Sequence, residues 1–338
     1  MTGCAGFIGS NFCRYVLEKY ADDHVIGLDA LTYSGNLSTI ADLQLNEKFS
    51  FVHARIEDQA TVEKVIVDEK IDSIVNFAAE THNDRSILED ADFLTTNVIG
   101  VNRLLSAVRK LEVQKMVHVS TDEVYGSIDV GEFTEESPIQ PNTPYSASKA
   151  SGDLQCRAHF VTYKTPVVVT RGGNTYGPYQ YPEKLISFFS VRLIDGKKVP
   201  VYGDGTQVRE WIHARDHAAG IDLALRRGEP GEVYNIGDQN ERQNMQIVSL
   251  LLSELGQSSE LVKQIPDPRK GAHDKRYSMS AAKISSLGWS PQVPFEQGMR
   301  ETIRWYKENR EWWGPICDRA EYQAFVKRFY GPGLGEDL

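Results

Sequence analysis

Tyr145 and Lys149 stand four residues apart in the stretch Tyr145-Ser146-Ala147-Ser148-Lys149. On a helix that spacing puts both side chains on one face, a turn apart. An ammonium beside a phenol favours the phenolate, so Tyr145 becomes a usable base near neutral pH. Such a pair can take a hydroxyl proton while a hydride leaves the same carbon. Upstream, Thr121-Asp122-Glu123-Val124-Tyr125-Gly126 adds two adjacent carboxyls, for which simple alcohol oxidation has no use. One acting as acid and the other as base is what elimination of water requires. Either segment alone also reads as a solvated turn or a polar helix start. Together they point to oxidation coupled to dehydration.

Oxidation needs an acceptor, and the N-terminal segment supplies a place for one. Thr2-Gly3-Cys4-Ala5-Gly6-Phe7-Ile8-Gly9 spaces its glycines three and three before a helix-like run over 8–20. Such glycines allow a tight turn and close backbone approach, so a pyrophosphate can sit on the helix N-terminus. Asp29 ends an apolar strand-like run, where a carboxylate can accept from both adenosine ribose hydroxyls. A 2′-phosphate would be repelled there, so NAD is expected over NADP. A strand should precede the loop, yet the sequence opens at Met1-Thr2. The first, central strand reads as truncated, and the natural chain is expected to begin several residues earlier.

The elements that must position these residues alternate regularly. Val25–Leu28, Phe49–Val52, Ile74–Ala78, Met116–Val119, Pro166–Thr170 and Val233–Gly237 are short, apolar and β-prone. Segments 8–20, 60–70, 97–111 and 146–163 have helical spacing. This alternation predicts an α/β fold, a doubly wound parallel sheet with helices on both faces. After about residue 170 it loosens and Pro, Gly, Tyr and Arg become frequent. The expected organisation is a nucleotide-binding domain over 1–170, rejoined by about 212–240, with a smaller α/β substrate domain over 171–211 and 241–330 and a tail at 331–338.

A chain of 338 residues can bury a sizeable core. Its net charge of −10 argues against a broad nucleic-acid surface, and no apolar run approaches bilayer length. Cys4, Cys13, Cys156 and Cys317 are far apart and lack metal-ligand spacing, so no metal is expected. No basic, apolar leader is visible, and a cytoplasmic location is expected.

The chain resembles an extended short-chain dehydrogenase/reductase, and within that superfamily the dTDP-glucose 4,6-dehydratase family. The likeness runs from Thr2 to about Tyr330. It is carried by the glycine loop, Leu31-Thr32-Tyr33-Ser34-Gly35-Asn36, Phe77-Ala78-Ala79-Glu80-Thr81-His82, and Ser120 through Gly126. Tyr145 to Lys149, Asn174, Pro182 to Ile186, Pro200 to Gly203, Arg209-Glu210-Trp211, Asn240 to Asn244 and Trp305 through Trp313 continue it. Epimerases share the glycine loop and the Tyr/Lys spacing. The Asp-Glu pair after Thr121 marks the dehydratases.

The resemblance implies a Rossmann fold, bound NAD and a lyase reaction on a nucleotide sugar. Tyr145 would take the O4 proton as the C4 hydrogen leaves. Lys149 would lower the tyrosine pKa and hold the nicotinamide ribose, and Thr121 would polarise the 4-ketone. Glu123 would then remove the C5 proton as Asp122 protonates the departing C6 hydroxyl, and the hydrogen taken from C4 would return to C6. Cofactor contacts are implied for Gly3, Gly6, Phe7, Ile8, Gly9, Asp29, Leu31, Thr32, Ile56, Ala78, Ala79 and Thr96. Substrate contacts are implied for Thr81, Asn174, Glu183, Lys184, Leu185, Pro200, Val201, Tyr202, Arg209, Asn244, His273 and Tyr277. Arg209 and Lys184 suit a diphosphate, and Tyr202 offers an aromatic face to a base.

Several positions depart from the family pattern. Arg55 stands where an Asp usually contacts adenine, Gly172-Gly173-Asn174-Thr175 replaces Cys-Ser-Asn-Asn, and the stretch Asp267 to Asp274 is one residue longer than its family counterpart, which shifts the alignment of Arg269. Three other readings stay open: a UDP-glucose 4,6-dehydratase, a nucleotide-sugar epimerase, and a non-catalytic NAD-binding partner protein. Thymine and uracil differ by one methyl group, worth about 1 kcal/mol, and the sequence does not separate them. Leu104, Leu105, Val108, Leu154 and Phe160 recur at spacings that could serve an intersubunit face, and family members pair such helices, so a homodimer is expected.

Overall fold

The structure is a computed structural model that describes residues 1–269 and 274–338. Its strands, in chain order, are β1 (Val25–Asp29), β2 (Phe49–His53), β3 (Ser73–Asn76), β4 (Lys115–Thr121), β5 (Val167–Gly172), β6 (Asn174–Tyr176), β7 (Val199–Tyr202), β8 (Val208–His213), β9 (Val233–Ile236), β10 (Glu241–Gln243) and β11 (Val262–Ile265). β1 pairs with β2, and β3, β4, β5 and β9 pair in that order, all in parallel.

Thr2 joins these two groups. It makes parallel bridges to Leu28 on one side and Asn76 on the other. Thr2 N donates to Val75 O at 3.0 Å and Phe77 N to Thr2 O at 3.1 Å, while Leu28 N donates to Met1 O at 2.8 Å. The Met1 ammonium donates to Ile26 O at 2.9 Å. The position expected for a central strand is therefore held by Met1 to Gly3, and the glycine loop springs directly from it.

The strand sequences explain why both faces are covered. Side chains alternate across a strand, so a continuous apolar run buries both sides. Along β4, Met116 packs into one layer and Val117 and Val119 into the other; along β5, Val167 and Val169 oppose Val168. Helices Phe7–Lys19 and Ala214–Arg227 cover one face and are tied by Asp222, which accepts from Lys19 Nζ at 2.9 Å and Tyr20 Oη at 2.7 Å. Helices Gln59–Asp68, Val101–Lys110 and Pro144–Tyr163 cover the other.

Two local features differ from a plain helix reading. The segment at 97–111 belongs to a longer helical stretch in which Ala91–Leu94 runs through a π-type turn, Thr95–Gly100, into Val101–Lys110. Such turns recur at functional sites, and this one buries Thr96 and Asn97, of which Thr96 lines the cavity described below. Leu104, Leu105 and Val108 are buried against the sheet, each worth roughly 1.5–3 kcal/mol, and do not form an outer face. Leu154 is exposed.

A second apolar core lies in the C-terminal half. β8 pairs with β6 in parallel and with β10 in antiparallel, and β7 pairs with β11 in parallel. Around them pack Tyr176, Phe188, Trp211, Tyr306, Trp313, Phe325 and Tyr330, so the aromatics clustered in this half of the sequence form its interior.

Candidate active site

A single cavity opens at the carboxyl ends of β1, β3, β4 and β5 and extends to β7 and β8. All residues singled out above for cofactor, substrate or catalysis line it except Leu31 and His273. His273 lies outside the described residues.

The cofactor end fits an adenine dinucleotide. Gly3 has φ +69, and a Cβ there would lie 2.6 Å from Ala78 N. A Cβ on Gly9 would overlap Gly3 O. Side chains at either position would close the turn from which helix Phe7–Lys19 starts. That helix has no side-chain cap at Gly6, so its first amides remain available to an anion. Asp29 Oδ2 accepts from Ala5 N at 2.9 Å and Oδ1 from Leu31 N at 2.7 Å. The carboxylate thus fastens the loop to the end of β1 and keeps spare lone pairs for ribose hydroxyls. Burial raises its pKa, opposed by those two amides. Leu31, at φ +51, contributes through its backbone. Ile56 is buried, so it too meets the cavity mainly by backbone, while Arg55 pairs with Glu57 at 3.4 Å. Thr96 Oγ1 donates to Glu57 at 2.8 Å.

The reactive groups come from two elements. β4 ends at Thr121, in register with Gly172, and turns into a 3-10 segment, Asp122–Tyr125. Helix Pro144–Tyr163 carries Tyr145 and Lys149 in its first two turns. Its start is well specified: Thr143 caps Ser146 N, Ser146 returns the bond in a capping box, and Pro144 sits where no amide partner is needed.

Asp122 is 2% exposed, accepts from Thr121 Oγ1 at 3.0 Å, and has no partner at Oδ2. Burial, with Glu123 and Glu210 nearby, lifts its pKa well above the carboxylate range. Glu123 is half-buried, and its Oε2 accepts from Asn83 Nδ2. Burial and Glu123 raise the Tyr145 phenol, while hydrogen bonds with Thr81 and Thr121 oppose them. Lys149 Nζ donates to Val119 O at 2.8 Å, and burial lowers its pKa to about 8 against the pull of Asp153. The ammonium expected to bond Tyr145 is therefore anchored on β4.

At the substrate end several side chains are already engaged. Glu183 accepts from Tyr33 Oη at 2.9 Å and Arg85 Nε at 2.7 Å, which makes it a buried strut. Arg209 donates from Nη1 to Val208 O and Lys275 O and from Nη2 to Asp274 O, and lies 4.4 Å over the Tyr277 ring. Tyr277 Oη donates to Asp274 at 2.6 Å. Arg269 pairs with Asp84 at 2.6 Å, and Asp84 also accepts from Tyr202 Oη at 3.2 Å. Lys184 Nζ stands 5.9 Å over the Tyr145 ring. Asn174 Nδ2 and Asn244 Oδ1 are buried without partners, as sites completed by a ligand would be. Leu185 opens helix Leu185–Ile194, and Pro200, Val201 and Tyr202 lie on β7.

Among the cavity residues that sequence reasoning passed over are Asn83, Asp84 and His217. Asn83 follows His82 at the end of the quoted stretch, but nothing in its spacing shows that it reaches Glu123. Asp84 is visible only as the partner of Arg269. His217 hydrogen-bonds Thr175 Oγ1 at 2.8 Å and fills space that a side chain at position 172 would need, so Gly172 and His217 are matched.

Comparisons with known proteins agree with this site. The family model described as GDP-mannose 4,6 dehydratase matches residues 1–302. A dTDP-glucose 4,6-dehydratase of Streptomyces niveus is 46% identical over 321 residues, 94% of each chain. The structure of DesIV, a dTDP-glucose 4,6-dehydratase from Streptomyces venezuelae solved with NAD bound, superposes with a TM-score of 0.90 at 48% identity, covering 93% of this chain and 98% of that one. A UDP-glucose 4-epimerase of Thermotoga maritima also superposes, with a TM-score of 0.84 at 30% identity over 91% and 98% of the two chains. The fold is common to both activities, so the site must separate them. With Asp122 and Glu123 in the cavity beside Tyr145, the chain belongs to the dTDP-glucose 4,6-dehydratase family of extended short-chain dehydrogenases/reductases.

Proposed function

We propose that this protein is an NAD-dependent lyase that converts dTDP-glucose to dTDP-4-keto-6-deoxyglucose. The observation that carries this reading is the adjacent carboxyl pair, with buried Asp122, its pKa pushed upward by burial, beside Glu123 and both lining one cavity with Tyr145. When bound, NAD accepts the C4 hydrogen and returns it to C6. Tyr145 Oη takes the O4 proton, with Thr121 close enough to hold the same oxygen. The resulting ketone acidifies C5–H. Glu123 removes that proton, the C5 electron pair forms the C5=C6 bond, and the C6–O bond breaks as Asp122 gives its proton to the leaving hydroxyl. Asp122 and Glu123 thus act as acid and base on adjacent carbons, and Glu123 gives its proton back to C5 once C6 has been reduced, which completes the product. Lys184 stands in the cavity to face a diphosphate, while Arg209 shapes the wall through its backbone bonds.

In this reading the glycine loop and Asp29 hold the cofactor and the C-terminal core holds the nucleotide, along the domain division expected from the sequence. The protein acts as a cytoplasmic homodimer in deoxysugar biosynthesis; no helix of the described residues is long and apolar enough to cross a membrane. The test is incubation with dTDP-glucose or UDP-glucose and mass spectrometry of the product. Water loss from dTDP-glucose is expected. In Asp122→Asn and Glu123→Gln, C4 oxidation should persist while water loss slows about 10²–10⁴-fold, the usual worth of a general acid or base. Wild-type elimination rates in both variants would sink the assignment.

A further inference from the structure

Asn83 has no part in the reaction outlined above, yet its side chain ends on Glu123. It is 8% exposed and lines the cavity. A carboxylate only accepts, so the amide NH2 must face Glu123 Oε2, which leaves Asn83 Oδ1 for the Thr143 hydroxyl at 2.7 Å. Thr143 Oγ1 in turn accepts from Ser146 N at 3.1 Å. A single directed chain results: Ser146 N–H to Thr143, Thr143 O–H to Asn83, Asn83 N–H to Glu123. It starts at the N-terminus of the helix that carries Tyr145, where the backbone dipole favours negative charge.

The backbone aims Asn83 there. His82, the residue before it, has φ +89, a conformation that side-chain-bearing residues rarely adopt and that concentrates at active sites. Its ring is held by a bond between Nε2 and Glu183 O at 3.0 Å and lies edge-on to Phe325 at 5.6 Å. Asp84, the residue after it, is clamped by Arg269 and Tyr202. Asn83 is thus fixed on both sides.

We propose that Asn83 is a positioning residue for Glu123. By holding Oε2 it turns Oε1 toward the C5 proton and ties the base to the helix that presents Tyr145. The assignment rests on Glu123 being the C5 base. The competing role is a tether for Thr143, which caps Ser146 with or without Asn83.

Rapid mixing separates the two. NAD-loaded wild type, Asn83→Val and the milder Asn83→Ala are mixed with dTDP-glucose, and the absorbance of reduced nicotinamide is followed. Its rise reads C4 oxidation and its decay reads elimination. NAD content and melting temperature report folding separately. The rise should stay within about threefold of wild type while the decay slows about 10–100-fold, the scale of one lost hydrogen bond to a charged group. Decay at the wild-type rate in both variants, equal slowing of both phases, or loss of NAD from both overturns the assignment. A wild type that removes no water from dTDP-glucose overturns the functional reading and this assignment with it.

Discussion

Asp122 shows how burial tightens a carboxyl's hold on its proton. Because its pKa is raised in the folded state, the native protein holds this proton more tightly than the unfolded chain. Stability from this group is therefore fully present below the ordinary carboxylate pKa and is lost as pH rises toward the elevated folded value. Asn mimics the protonated acid and cannot ionise, and its Oδ1 keeps the bond from Thr121. We expect the melting temperature of Asp122→Asn, relative to wild type, to climb as pH is raised above the ordinary carboxylate pKa, by about 1.4 kcal/mol in stability per pH unit within the window. A difference that stays flat with pH would mean Asp122 is ionised in the native protein. The residue types and spacings that bear chemistry were legible in the sequence: Tyr145, Lys149, Asp122 and Glu123 announce themselves. Engagement was not. Glu183 and Arg209 read as substrate ligands, but a sequence does not show that Tyr33 and Arg85 already occupy one and backbone carbonyls the other.

Among the elements, helix Pro144–Tyr163 bears the most on the site, because its first turn sets Tyr145 and its cap reaches Asn83. Thr143→Ala should cost about 1 kcal/mol of stability through the lost cap. Thr143→Ser should recover most of it, and thermal melts of the two variants against wild type decide the matter. Equal melting of Thr143→Ala and wild type would show that packing alone holds the helix start. The six strands of the parallel sheet were readable from periodicity, since a strand buried on both faces must be apolar throughout, and so were the flanking helices other than Ala214–Arg227. The π-type turn at Thr95–Gly100 was not readable. Its extra residue per turn follows from packing and leaves no local signature.

For the whole molecule, the apolar residues expected to mediate pairing divide in two. Leu104, Leu105 and Val108 belong to the core and Phe160 packs against it, whereas Leu154 is about half exposed, as are Ile99 and Val161 on the surface of the same two helical stretches, which the Asn102–Gln155 bond joins at 3.1 Å. If this surface makes the dimer, Leu154→Asp combined with Val161→Asp should sediment as a monomer while wild type sediments as a dimer at micromolar concentration. A wild-type monomer, or a double variant that stays dimeric, removes this surface from consideration.

What the sequence determined by itself is local in origin: glycines where the backbone must pass close, an acid at the end of β1, a phenol and an amine one turn apart, and apolar runs long enough for strands. These follow from steric rules and hydrophobic periodicity, which act over a few residues. What the tertiary structure decided is everything set by desolvation and by partners far along the chain. Thr2 can stand in for a strand because β1 and β3 close on both its edges. Asp122 holds its proton more tightly because the fold removes water from it and brings Glu123 and Glu210 near. Asn83 meets Glu123 because a strained His82 turns it across forty residues of sequence. Charge state and orientation depend on the local dielectric and on who the neighbours are, and neither is written in the order of the residues.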